Sequence, residues 1–179
     1  MSLKELLKKK ESAIVGQWFD SVVNTYQIDT SRFLKSQKDA FANPVGNSLS
    51  QGLSVLARAV FDEISGRMDS ETVISFLDPI IRIRALQDFS ASKAVGFVFF
   101  LKKIVREQTA KEIGEDKTLQ ADMLLFESRI DELALIAFDI YMQCREKIYE
   151  IKANEVKNRT FSAFHRAGLV ADWEEEPGK

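Results

Sequence analysis

An all-α fold, a multi-helix bundle that ends in one long helix, is predicted from three observations. Only eight Gly and three Pro occur in 179 residues, and most of them fall between periodic stretches. No run alternates apolar and polar residues over strand length between turn signals, so no strand is expected. Apolar residues make up 45% of the chain. That is enough for a core without covalent or metal staples, and it excludes disorder as a global description.

The first helix is expected from Ser2 to Tyr26. Leu3, Leu6, Leu7, Ile14, Val15, Trp18, Phe19, Val22, Val23 and Tyr26 recur at helical spacing and form one apolar stripe, with Lys8, Lys9, Lys10 and Glu11 opposite. A polar stretch, Gln27–Ala42, has room for a short helix held by Phe33, Leu34 and Phe41. Asn43-Pro44 then reads as an N-cap with Pro at the first helical position, where its missing N–H does no harm. The helix it starts carries Val45, Leu49, Leu53, Leu56, Val60 and Ile64 and stops at Gly66. Gly46 and Gly52 weaken it by roughly 1 kcal/mol each relative to Ala, which points to close helix–helix approach.

Asp69-Ser70 caps a segment over Glu71–Leu77, and Asp78-Pro79 repeats the cap-then-Pro signature, so a kink or restart is expected there. The next segment is Pro79–Gln87. Phe89-Ser90 reads as a staple residue and a cap for a helix from Ala91 to about Ile113, apolar nearly all round at Ala94–Leu101 and therefore central. Gly114 breaks it. The last helix begins near Asp116 and meets no breaker before Gly168, about fifty residues or ~75 Å. Its 4-3 seam of Leu119, Met123, Phe126, Ile130, Leu133, Ala137, Ile140 and Cys144 is apolar, whereas Lys147, Asn154 and Asn158 interrupt the continuation through Ile151, Phe161 and His165. The distal part either projects as a weak coiled coil or bends back at Asn154–Asn158. Residues 1–150 then form the helical domain, 151–170 a helical extension, and 171–179 a disordered acidic tail in which Trp173 is available to dock.

Lys+Arg number 25 and Asp+Glu 27, a net charge of −2, without the basic excess that nucleic-acid binding normally needs. The single cysteine, Cys144, excludes an intramolecular disulfide and any multi-cysteine metal site and suits a reducing cytoplasm. The N-terminus has no signal-peptide apolar region, and the longest apolar run, Ala94–Leu101, is far short of the about twenty residues needed to span a bilayer. A cytoplasmic protein is expected, with neither nucleic acid nor membrane as its partner.

Chemistry-bearing motifs are sparse. No glycine-rich phosphate loop, HExxH or CxxC is present, and one histidine cannot build a di-iron site. No metal and no cofactor is expected. His165 sits among Asn158, Arg159 and Arg166 and reads as a surface or interface residue more readily than as a haem ligand. Cys144 falls at a core position and reads as a small buried hydrophobe. Lys102, Lys103 and Arg106 read as a solvated face, and the thirteen Phe as core. Arg82 and Arg84 stand out because they interrupt the apolar Ile80–Leu86 segment. At least one should be buried and either paired with a carboxylate such as Asp78 or Asp88 or bound to an anion.

Two stretches carry a resemblance. One is Phe41-Ala42-Asn43-Pro44-Val45-Gly46 with Leu49 and Gly52-Leu53. The other runs Leu77-Asp78-Pro79-Ile80-Ile81-Arg82-Ile83-Arg84-Ala85-Leu86-Gln87-Asp88-Phe89 and on through Phe99. With the Trp18-Phe19 helix, they resemble the N-terminal sensor domain of RsbR-type RsbT co-antagonist proteins, the RsbRD N-terminal family, over roughly Leu6 to Glu150. The resemblance implies a globin-like fold without haem, dimerisation, and a signal sent along the last helix. In that family the signal enters a STAS domain of roughly a hundred residues; only a short tail follows the long helix here, so a stand-alone sensor or adaptor is expected. The resemblance implies no catalytic residue.

The expected function is accordingly a non-enzymatic, homodimeric signalling module with an unknown protein partner. The alternative is a small-ligand or haem carrier with its pocket near Arg82, Arg84 and Phe97, and an unrecognised enzyme stands third. Ligand-contact candidates are Arg82, Arg84, Gln87 and Phe97. Asn43, Pro44, Gly46, Asp78 and Pro79 form the structural motif, and Leu133, Ala137, Ile140, Cys144 and Ile151 the dimer and signal helix.

Overall fold

A computed structural model describes residues 1–36, 39, 41–62, 64, 70–87 and 89–169. Its described elements are all helices: α1 Leu3–Val23, α2 Ile28–Ser36, α3 Pro44–Asp62, α4 Ser70–Leu86, α5 Ala91–Val95, α6 Phe97–Ile113 and α7 Lys117–Arg166. No strand occurs among the described residues, and none of the described helices is long and apolar enough to cross a membrane. The expected stop at Gly66, the Asp69 cap, the Asp88 counter-ion and the acidic tail with Trp173 lie outside the described residues. The chain divides into two compact units, Met1–Met142 and the remainder from Gln143.

In the first unit, α1 is the central element and packs on both α3 and α6, while α3 packs on α4. A capping box starts α1: the Ser2 hydroxyl accepts from the Glu5 N–H at 3.3 Å, and the Glu5 carboxylate accepts from the Ser2 N–H at 2.9 Å. Hydrogen bonding from the Ser2 backbone N–H, and after it from the Ser2 side chain, holds the Glu5 carboxyl below its ordinary pKa. Of the apolar stripe, Leu3, Leu6, Leu7, Ile14, Trp18, Val22 and Val23 are buried, whereas Val15, Phe19 and Tyr26 are half-buried. Charged side chains clamp its flanks, with Lys4 and Lys8 on Asp62 and Lys10 on Glu112. Such exposed pairs are worth about 0–1 kcal/mol each, so burial, not pairing, holds α1 in place.

Asn43 starts α3 as its spacing suggested. Its side-chain oxygen accepts from the Gly46 N–H at 2.9 Å, its carbonyl accepts from Asn47, and Pro44 occupies the first helical position. The same carboxamide is buried and donates to the Leu34 carbonyl at 3.1 Å, which ties the end of α2 to the start of α3. Gly46 therefore serves the cap instead of a neighbouring helix: a Cβ there would lie 2.2 Å from Asn43 Nδ2. Gly52 does mark a close approach, since a Cβ would stand 2.9 Å from Ile80 Cδ1 and 3.3 Å from the Phe76 carbonyl of α4.

Asp78-Pro79 does not start a helix. The single helix α4 runs through both residues, so the predicted boundary is wrong. Proline there forfeits one N–H bond and crowds the carbonyl one turn back, a cost of about 3 kcal/mol, and the burial of Leu77, Ile80 and Ile81 on both sides of it offsets that. Asp78 instead pairs with Arg82 one turn later, Nε to Oδ2 at 2.5 Å. The expected single helix from Ala91 to Ile113 is broken at Gly96, where a Cβ would lie 2.5 Å from the Ser92 carbonyl. Ala94, Val95, Phe97, Val98 and Leu101 are buried, but Phe99 is exposed, so the helix is not apolar-buried on every side.

Gly114 ends α6 at φ +40°, a conformation that L side chains rarely adopt. Asp116 then caps α7, its Oδ1 accepting from Thr118 and Leu119. Leu119, Met123, Phe126, Ile130, Leu133, Ala137 and Ile140 are buried along one face, and Cys144 after them. The helix is unbroken to Arg166, so of the two courses open for its distal part the bend at Asn154–Asn158 does not occur.

Asn43 and Gly46 should behave as one unit in stability measurements. Asn43→Ala is expected to destabilise by roughly 1–2 kcal/mol. Gly46→Ala alone should destabilise by evicting the cap amide, yet in an Asn43→Ala background it should be neutral or stabilising, by up to about 1 kcal/mol from helix propensity. Urea denaturation of the four proteins checks this; additive losses would show that Gly46 answers to something other than the cap.

Candidate functional site

Two arginines sit two residues apart on α4, so they point to different faces. Arg82 turns outward and pairs with Asp78. Arg84 follows Leu77, Ile80 and Ile81 on the buried stripe and is itself 0% exposed. Three aromatic rings surround its guanidinium: Phe89 at 4.4 Å, Tyr26 at 5.1 Å and Phe97 at 5.3 Å from the guanidinium carbon to the ring centroids. Nη2 donates to the Thr25 hydroxyl and to the Lys93 carbonyl, both at 2.9 Å. The expected carboxylate partner for Arg84 is not found among the described residues; π faces and neutral oxygens take its place.

Nε and Nη1 of Arg84 and the hydroxyl of Tyr26 are buried without a hydrogen-bond partner among the described residues. Burial lowers the Arg84 pKa, and the neighbouring Tyr26 hydroxyl offsets part of that without a well-formed hydrogen bond. Arginine stays charged at neutral pH even so. A buried cation with open donors is costly to a fold, and such groups in native proteins call for a reason.

The cage is built from non-local pieces. Tyr26 and Thr25 follow the end of α1, where Thr25 Oγ1 also donates to the Val22 carbonyl. Phe97 opens α6, and its carbonyl accepts from Trp18 Nε1 at 2.8 Å while the two rings stack at 6.2 Å. Phe89 lies in the link between α4 and α5. Its N–H donates to the Arg84 carbonyl and its carbonyl accepts from the Tyr141 hydroxyl of α7 at 2.7 Å. Tyr26 and Phe89 meet edge to face at 5.3 Å.

Beside the cage opens a cleft of about 520 Å³, within the range of small-molecule sites. Thr25, Tyr26, Gln27 and Thr30 line one side, and Gln87, Phe89, Ser90 and Lys93 the other. Of the four candidate ligand residues, Gln87 lines this cleft, Arg84 and Phe97 belong to the cage behind it, and Arg82 belongs to neither. Thr25, Tyr26, Phe89, Lys93 and Tyr141 were missed. Their link to Arg84 crosses loops and helices, and the only sequence signal was that Arg84, unlike Arg82, keeps register with Leu77, Ile80 and Ile81. A concavity of about 700 Å³ near Val156–Arg166 is lined by residues of α7 alone.

Other candidates fall elsewhere. His165 is exposed with its ring 6.3 Å from that of Phe161, and the cleft that the haem alternative would use contains no histidine. Among the described residues no group of three His, Cys, Asp or Glu side chains is placed to hold a metal ion. Leu133, Ala137 and Ile140 are already buried within the first unit, and Cys144 is buried too, so none of the four has a side chain free for a second copy; only Ile151, 57% exposed, does. That corrects their assignment as a dimer surface. The exposed apolar side chains of α7 in the first unit are instead Leu124, Leu125, Leu135, Phe138 and Met142.

Arg84→Met keeps the bulk and removes the charge, so it should leave stability within about 1 kcal/mol of the wild type or raise it. Arg84→Ala leaves a hole among three rings and should cost roughly 2–5 kcal/mol. Denaturation midpoints compare the two; a Met variant as unstable as the Ala variant would show that the guanidinium is there to hold the fold.

Searches of curated proteins and of solved structures find no match. Residues 12–156, most of the chain, match the family described as the RsbT co-antagonist protein rsbRD N-terminal domain. The cage residues Thr25, Tyr26, Arg84, Phe89 and Phe97 all lie inside that match, and the chain belongs to this family.

Proposed function

We propose that this chain is a non-enzymatic sensor module of RsbT-type signalling, working in the cytoplasm as a homodimer and passing its state to a protein partner through α7. Its membership of the rsbRD N-terminal family is the observation that carries the reading. Two features support it. One is the caged arginine beside a cleft, an arrangement suited to detecting a molecule. And α7 carries large exposed apolar side chains, with Leu135 67%, Phe138 44% and Met142 38% exposed. At i, i+3 and i+7 these share one helix face, and a second copy covers such a face symmetrically.

Haem carriage is the weaker reading, since no observation at the cleft favours it. A sensor of this kind needs a dimer contact that is strong enough to form and weak enough to change.

Light scattering over a concentration series tests the proposal. A mass of twice the 20.3 kDa chain is expected, and Leu135→Glu with Phe138→Glu should return it to that of one chain. A constant single-chain mass at high micromolar concentration would contradict the dimer.

A further inference from the structure

The geometry points to the Arg84 cleft as the input site of the sensor: we propose that it takes a small organic oxyanion, a carboxylate or phosphate on a planar apolar body, and reports its arrival to α7 through Phe89 and Tyr141. The inference rests on the sensor reading above and supplies its ligand class.

Three buried polar atoms lie together without partners among the described residues: Arg84 Nε, Arg84 Nη1 and the Tyr26 hydroxyl. Arg84 contributes two donors and the Tyr26 hydroxyl a third group that can donate or accept, and the two Arg84 donors belong to a cation with no carboxylate beside it among those residues. An oxyanion supplies several acceptor lone pairs on one charged group, and a guanidinium fork binds such groups through parallel N–H bonds. Tyr26 and Phe89 form the wall between the guanidinium and the cleft, since both rings face Arg84 and both line the open side. Neither is inside a helix, and a helical position would have fixed them more firmly. Their faces suit a flat apolar body, and Gln27 and Gln87 offer amides at the rim. The volume of about 520 Å³ admits a molecule of that size.

Displacement of Phe89 is the step that makes binding a signal. Its ring covers Arg84 and its carbonyl holds the Tyr141 hydroxyl at 2.7 Å. An oxyanion that replaces the ring over the guanidinium moves this short link, and the Tyr141 contact with it. Tyr141 neighbours Met142, one of the exposed apolar residues of α7. Occupancy of the cleft and the state of α7 are thereby coupled through one hydrogen bond, and each biases the other by the same free energy.

The test uses the full chain with Trp173→Phe, which leaves Trp18, stacked on the cage residue Phe97, as the only tryptophan. Benzoate and phenyl phosphate are titrated in, with benzamide as an uncharged match, and Trp18 emission is followed. A saturable change is expected with one or both anions, at least tenfold weaker with benzamide and with Arg84→Met. The anion that binds more tightly identifies the headgroup. Tyr26→Phe should weaken binding several-fold while the protein stays folded. Tyr141→Phe should keep binding within about threefold but remove the effect of the ligand on mass in light scattering. No saturable change with either anion, equal binding of benzamide, or full binding by Arg84→Met would overturn the proposal. So would binding that arises only in Asp88→Asn, because Asp88 would then be the anion that Arg84 serves. An intact dimer with no ligand response removes the input site and leaves the sensor module standing; a single-chain mass removes the module itself.

Discussion

A guanidinium out of reach of water has to be balanced by something, and much of this structure is arranged around how Arg84 is balanced. Its position is set by α4, where it continues the buried stripe of Leu77, Ile80 and Ile81. The protein meets the charge with three ring faces, one hydroxyl and one backbone carbonyl. Cation–π contacts are worth about 0.5–2 kcal/mol each, which makes the site tolerable without closing it. The rings come from the end of α1, the link before α5 and the start of α6, so one side chain draws three parts of the chain together.

That arrangement explains features at a distance. Trp18 is buried near the C-terminal end of α1 and uses its indole N–H on the Phe97 carbonyl, which fixes where α6 begins. Gly96 directly before it lets the chain fold tightly over the Ser92 carbonyl, breaking what would otherwise be one helix. The break places Lys93 so that its carbonyl can accept from Arg84. Phe89 in turn is tied to Arg84 by its N–H and to α7 by its carbonyl. The same few residues thus define a cleft and a mechanical connection to the longest helix.

Much of the architecture was legible because it depends on local signals. Asn43-Pro44 marked the start of α3, Asp116 and Gly114 the start of α7 and the end of α6, and a 4-3 repeat the buried face of α7 as far as Cys144. The same logic failed at Asp78-Pro79. The dipeptide has the look of a cap, but burial of Leu77 and Ile80 on either side, with Ile80 fitted against Gly52, outweighs the lost hydrogen bond and the crowding of the preceding turn. The site was only half legible. Helical register distinguishes Arg84 from Arg82, yet no spacing rule connects Arg84 to Tyr26 or Tyr141, because those contacts are made by tertiary packing. A carboxylate was the natural expectation for a buried arginine; aromatic faces were not, since thirteen Phe look like ordinary core. Leu133, Ala137, Ile140 and Cys144 were read as a surface for a second copy for a related reason: an apolar repeat signals burial but does not say whether its own chain or a second copy provides it.

The central claim is that Arg84 is held charged and dry under three aromatic rings. The ¹H–¹⁵N resonance of its Nε tests this most directly. Ring currents from Tyr26, Phe89 and Phe97 should shift the Hε signal well away from those of the other arginines, and its exchange with water at neutral pH should be slow enough to survive saturation transfer. An Arg84 Nε–H signal at the ordinary position, exchanging as fast as that of exposed Arg32, would contradict the account.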